Sequence, residues 1–227
     1  MCIRDRPRTI PITGVENGMT TNPQGIEEQE HADLVLASAS PRRCELLSQI
    51  GMRFVQIVAA IDESVLPGES PADYTVRVAC DKALAVQQRG TALPVLGADT
   101  AVILDEHILG KPRSREEAAD MLGRLSGRTH QVYSAVAVAS GARGLHHRLN
   151  ITAVTFAALQ PDWIRAYIDT GDPMDKAGAY GVQGRAAERI ERIEGSFSGV
   201  MGLPLYETAE LLDAVKCYSK VGPVGAA

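Results

Sequence analysis

Two stretches of the sequence combine residue types that handle phosphate and water. SerAlaSerProArgArg (residues 38–43) follows a short apolar run and opens an amphipathic one. A helix start presents unpaired backbone N–H groups at the positive end of its dipole, where anions bind. Ser38 and Ser40 add hydroxyls, and Arg42 and Arg43 add forked donors matched to phosphate oxygens. The alternative is a serine-capped surface helix with two solvated arginines, although cations in a first turn oppose the dipole. In the second stretch, GlyAlaAspThr (97–100), Asp99 interrupts an apolar strand. A carboxylate there is costly to bury unless it meets a metal, a cation or a proton, or else it caps a strand-end turn. Thr100 either hydrogen-bonds a ligand or satisfies the strand preference for β-branched residues.

Other residues say less by themselves. Lys111 in GlyLysPro (110–112) precedes a proline that enforces extended backbone, and Lys82 and Glu63 read equally well as surface charges. The glycine-rich stretch 171–184, GlyAspProMetAspLysAlaGlyAlaTyrGlyValGlnGly, lets backbone approach a ligand or forms a long loop. SerPheSerGlyValMetGlyLeuPro (196–204) is a second glycine-punctuated loop. GxxxxGK[ST], GxGxxG, GxSxG and HExxH are all missing, so P-loop, Rossmann, α/β-hydrolase and zincin readings lose their usual warrant. His146 and His147 are adjacent and point apart on a strand.

Positioning these residues requires alternating elements. The pattern predicts strands at 34–37, 54–58 and 95–104, and β-rich runs at 129–139 and 149–159. Helices are predicted from Pro41 to Gly51, at 71–88, 114–125, 161–169 and 203–215. Ser114 with Glu117 forms a capping-box signature. Strands mixed with helices in this order give an α/β fold around a mixed sheet. Residues 1–31 lack periodicity and read as a disordered or spurious extension whose opening, MetCysIleArgAspArg, resembles translated adapter DNA; a true start is expected downstream. Residues 32–216 form the folded domain and 217–227 a loose tail.

Bulk composition narrows the partners. The 227-residue chain is 45% hydrophobic and 22% charged, ordinary for a globular protein. A net charge of −5 offers no global attraction to nucleic acid or anionic lipid, so an anionic substrate needs a local basic cluster. No apolar run approaches the roughly 20 residues that span a bilayer. Cys2, Cys44, Cys80 and Cys217 are scattered without CxxC spacing, which reads as reduced thiols in a cytoplasmic protein.

Taken in order, SerAlaSerProArgArg, GlyAlaAspThr, GlyLysPro, SerGlyArgThrHisGlnValTyrSerAlaValAlaVal (126–138), AspLysAlaGlyAlaTyrGlyValGlnGly (175–184) and the GlyLeuPro ending resemble the Maf family over about residues 34–215. The resemblance implies an inosine-triphosphatase-like fold with a cleft between two lobes, and a nucleoside triphosphate pyrophosphatase that forms homodimers. Arg42, Thr100 and Gln183 match members acting on dTTP and UTP, whereas a sister group acting on 7-methyl-GTP has tryptophan at the position of Arg42. By this resemblance Ser38, Arg42, Arg43, Lys82 and Lys111 hold the triphosphate, and Gln183 reads the pyrimidine edge. Glu63 and Asp99 hold Mg²⁺ or Mn²⁺, and Asp99 is the general base. A nucleotide-binding regulator of cell division would present the same residues.

Overall fold

The computed structural model of the chain describes residues 32–141 and 143–217. The expected extension at residues 1–31, with Cys2, and the tail from residue 218 onward lie outside the described residues. Cys217, the first residue of that tail, is buried against the core.

Strands and helices follow in the order β1 (Leu34–Leu36), α1 (Pro41–Gln49), β2 (Phe54–Gln56), α2 (Pro71–Gln87), β3 (Val95–Leu104), β4 (His107–Leu109), α3 (Arg115–Leu125), β5 (Thr129–Ser140), β6 (Gly144–Phe156), α4 (Pro161–Asp169), β7 (Ile190–Glu194), α5 (Phe197–Met201) and α6 (Leu205–Ala214). The strands make one seven-stranded mixed sheet in the order β2-β1-β3-β5-β6-β7, with β4 attached to β3. β1 runs parallel to β2 and β3, and the other pairs are antiparallel. The mixed α/β architecture expected from the alternation of elements is therefore what the chain adopts.

Strand alternation sorts the core onto two faces. Leu34, Leu36, Leu96, Ala98, Val136 and Val138 pack with Leu46 and Leu47 of α1 and Leu211 and Leu212 of α6. Val102, Val132, Val154 and Phe156, farther along the sheet, pack with Leu122 of α3 and Tyr167 of α4. On the opposite face, Val35, Ala135 and Ala137 meet Ala79, Ala83 and Val86 of α2. No helix among the described residues is long and apolar enough to cross a membrane.

The helix ends follow their local chemistry. Ser70 Oγ accepts the Asp73 N–H at 3.2 Å, capping α2. Ser114 Oγ accepts the Glu117 N–H at 3.2 Å, while Glu117 Oε2 accepts from Arg113 N, one residue farther back than a reciprocal capping box requires. Gly123, exposed inside α3, has nothing within 4 Å of where a Cβ would stand. Gly123→Ala is expected to stabilise the protein by about 0.5–1 kcal/mol through the smaller entropy loss of alanine in a helix. A urea midpoint at or below that of the wild type would refute this.

Candidate active site

The sheet leaves a gap at the place where Asp99 lies. On one edge of β3, β1 pairs with Val95 and Leu96, and β4 pairs with Val102 to Leu104. Between those pairings no strand of the described residues occupies that edge, because β1 ends at Leu36 and the chain turns away into α1. A cleft of about 520 Å³ opens there. The other edge of β3 pairs with β5 along nearly its whole length, including Asp99 with Ala135, which keeps the floor rigid. All the sequence-predicted site residues line this cleft: Ser38, Arg42, Arg43, Glu63, Lys82, Asp99, Thr100, Lys111 and Gln183.

One wall is basic. α1 begins at Pro41 after Ser40, whose side chain makes no capping bond, and its first turn holds no acidic residue. Ser38 Oγ instead accepts the Ser40 N–H at 3.2 Å and Arg43 Nη1 at 3.1 Å. The Ser38 carbonyl is fixed by Gln56 Nε2 at 2.7 Å. Arg43 Nε donates to the Gly202 carbonyl at 2.8 Å and Nη2 to Thr100 Oγ1 at 3.4 Å. Among the described residues this partly buried guanidinium touches carbonyl and hydroxyl oxygens but no carboxylate. Burial pushes Arg43 below its ordinary pKa, and the charges of Asp99 and Glu63 oppose that shift. An anion in the cleft would meet the same need more directly. Lys111 is exposed on the loop after β4 and forms no ion pair among the described residues.

The centre is acidic and closed by an ammonium group. Lys82, projecting from α2, donates to Asp99 Oδ1 at 2.9 Å and reaches Glu63 Oε1 at 3.1 Å. The carboxylate in the apolar strand thus meets a cation supplied by the helix packed over it. Tyr74, about two turns earlier on α2, lines the same space. Burial, followed by the charges of Asp99 and Glu63, pushes its hydroxyl up to about 12, so it stays a neutral donor at pH 7. No group of three or more His, Cys, Asp and Glu converges as a metal site among the described residues. Two carboxylates do suit Mg²⁺ or Mn²⁺, which takes one or two of them and completes its shell with water and phosphate oxygens.

The opposite wall is the glycine-rich stretch 171–184, which is folded into short 3-10 turns at Asp172–Asp175 and Ala177–Ala179. Lys176 Nζ binds the Asp172 carbonyl at 2.5 Å and its Oδ1 at 2.9 Å, and Asp175 Oδ1 at 2.7 Å. Tyr167 donates to Asp172 Oδ2 at 2.7 Å and accepts the Gly181 N–H at 3.2 Å. Burial works against ionising Asp172, but hydrogen bonds from Tyr167 and Lys176 hold its carboxyl below the usual range. A Cβ on Gly181 would lie 2.8 Å from Lys176 Cε, and one on Gly184 2.7 Å from Asp172 Oδ2. The glycines therefore serve close packing of the wall that places Gln183 at the cleft. Tyr180 is anchored to His130 Nε2 at 2.7 Å, and burial pulls His130 down to about 4, so it is neutral at pH 7.

Sequence reasoning missed Tyr74, Asp175, Lys176, Tyr180 and Gly202 as cleft residues. Asp175 stands 3.8 Å from Arg42 across the cleft. Ser196 and Ser198, given no role from the sequence, prove to be scaffolding. Ser196 caps α5 through the Gly199 N–H, and Ser198 Oγ accepts the Leu205 N–H, so the Gly202 carbonyl stays aimed at Arg43.

Comparison with known proteins identifies relatives of the chain. The chain is 56% identical over 181 residues to a dTTP/UTP pyrophosphatase of Methylobacillus flagellatus, covering 79% of this chain and 90% of that one. It is 51% identical over 193 residues to a dTTP/UTP pyrophosphatase of Cupriavidus pinatubonensis, covering 80% and 96%. Among solved structures, the Ham1 protein of Staphylococcus aureus matches at 13% identity and a TM-score of 0.47, over 82% of this chain and 99% of that one. The sequence profile of the Maf-like protein family matches residues 33–215, from the approach to β1 through the end of α6, and the chain belongs to that family.

Proposed function

We infer that the chain hydrolyses dTTP and UTP to the nucleoside monophosphate and pyrophosphate. The observation that supports this most is the convergence of Arg42, Arg43, Lys82 and Lys111, from separate chain segments, around Asp99 in one cleft. A triphosphate needs several cations, and attack by water needs a carboxylate beside them. Relatives more than half identical in sequence are dTTP/UTP pyrophosphatases, in agreement with this reading.

In the proposed reaction, water adds to the α-phosphorus, the bond to the bridging oxygen breaks, and pyrophosphate leaves. The N-terminal amides of α1 with Ser38, Arg42 and Arg43 would hold phosphate oxygens at one end, and Lys111 would hold them at the other. Charge that develops on the leaving pyrophosphate is then neutralised by groups already in place. In the nucleotide-free cleft Lys82 engages Asp99 Oδ1, and with the triphosphate bound the Asp99 carboxylate would accept the proton of the attacking water. Glu63 and Asp99 would also bind Mg²⁺ or Mn²⁺, which when present polarises phosphate oxygens and acidifies water. Gln183 offers a donor and an acceptor to a pyrimidine edge.

Comparing kcat/KM for dTTP, UTP, CTP and 7-methyl-GTP in Mg²⁺, with pyrophosphate as the measured product, tests the reaction and its substrate together. dTTP and UTP are expected to exceed 7-methyl-GTP by at least about tenfold, the value of one well-placed hydrogen bond. Preference for 7-methyl-GTP, or release of inorganic phosphate instead of pyrophosphate, would overturn the reading.

A further inference from the structure

The convergence of Glu63 and Asp99 creates one seat for a cation, and the protein fills it with its own. Lys82 Nζ lies 2.9 Å from Asp99 Oδ1 and 3.1 Å from Glu63 Oε1, the oxygens through which a divalent ion would bind. Lys82 and Asp99 side chains are only 11% and 9% exposed, while Glu63, in the irregular segment between β2 and α2, is 50% exposed. The stem of Lys82 rises from a helix packed directly on β3, so its ammonium is held at the seat and is not a wandering surface charge. A divalent ion and an ammonium cannot share these two oxygens, because like charges a few ångström apart repel strongly inside a protein.

We propose that Lys82 is an internal competitor for the metal, so that a divalent cation binds this site tightly only when a nucleotide arrives with it. Displacing Lys82 without a nucleotide would strand a nearly buried ammonium with no anionic partner. An incoming triphosphate supplies that partner: Lys82 moves from the carboxylates to phosphate oxygens, and the ion takes its place. Ion and nucleotide then bind with positive coupling, each raising the affinity for the other by the same factor. The proposal rests on the reading of the cleft as a triphosphate site, but it concerns the empty protein and can fail separately.

The test is Mn²⁺ binding to the full chain in the absence of nucleotide, followed by electron paramagnetic resonance, with circular dichroism to establish folding. Wild type is expected to bind Mn²⁺ weakly. Lys82→Met, which keeps the length and removes the charge, should bind at least about tenfold more tightly, and Lys82→Arg should remain weak. Adding Asp99→Asn to Lys82→Met should abolish the gain. A tight nucleotide-free Mn²⁺ site in wild type that Asp99→Asn removes would overturn the proposal without any Lys82 variant. So would a folded Lys82→Met that binds Mn²⁺ no better than wild type, or a gain that survives Asp99→Asn. Loss of the dTTP activity assignment would show in turnover of wild type and would leave these Mn²⁺ results standing.

Discussion

Asp99→Asn is expected to lower kcat for dTTP hydrolysis by at least about 100-fold, the low end of what a positioned general base contributes. Asparagine has the shape of aspartate, and its carbonyl can still accept from Lys82 Nζ where Asp99 Oδ1 does so at 2.9 Å. Asp99 is flanked by full β3–β5 pairing, so the strand has no reason to move. What disappears is the negative charge and the capacity to take a proton. KM should rise too, because the ion that Asp99 would hold is coupled to nucleotide binding, but by less than kcat falls, since the arginines and Lys111 that would grip the triphosphate remain. Glu63→Gln should cost less than Asp99→Asn, since Glu63 is half exposed and water can replace part of its role. Steady-state pyrophosphate release decides the matter: turnover by Asp99→Asn within a few-fold of wild type removes Asp99 from the chemistry.

Asp99 could be found in the sequence because of an energetic contradiction, a charge in the middle of an apolar strand. Its resolution could not be found there. Lys82 lies seventeen residues upstream, and only the packing of α2 across β3 sets its ammonium against the carboxylate. Arg42 and Arg43 were legible for a similar reason, as cations where a helix dipole disfavours them. Lys111, Glu63 and Gln183 were not, because lysine before proline, a loop glutamate and a loop glutamine are common on any surface. Their assignment came from the order of motifs and not from their own chemistry.

The fold shows the same division. Long periodic elements such as α2 and β3 were readable, as were the short apolar strands β1 and β2, whereas β4 and β7, set by tertiary contacts, were not. β4 follows a two-residue turn in which Asp105 and Glu106 both adopt positive φ, 51° and 63°. Glycine or asparagine usually marks such a turn, and this sequence has neither. Arg128 holds the turn by gripping both Asp105 oxygens at 2.7 and 2.8 Å, a contact invisible in local sequence. β7 is a five-residue edge strand that pairs only with the end of β6, and its alternation is too brief to stand out. The stretch 171–184 reads as a loop from its glycines, yet those glycines let Val102, Lys176 and Asp172 pack directly on the backbone at Gly178, Gly181 and Gly184, which makes it a wall.

The glycine of the GlyAlaAspThr motif carries the largest expected effect on stability. A Cβ built on Gly97 would lie 2.2 Å from the Ala79 carbonyl oxygen and 2.7 Å from the Ala83 nitrogen. Both atoms are backbone of α2, so no side chain can rotate out of the way. The helix rests on the strand at this point, with Ala79 and Ala83 fully buried on either side of the contact. Gly97→Ala must push α2 off the sheet, opening the interface that Val35, Val86 and Ala137 fill. The expected loss is about 3 kcal/mol or more, the upper range for overpacked cores, which for a domain of this size is roughly 6–12 °C in Tm. Because α2 also delivers Lys82 and Tyr74 to the cleft, activity measured well below Tm should fall as well, although no site residue has changed. Alanine at Gly123 serves as the contrast, since the same added methyl there enters open space. A Tm for Gly97→Ala within about 2 °C of wild type would mean that α2 does not lean on β3 at Gly97, and that the motif keeps its glycine for some reason other than packing.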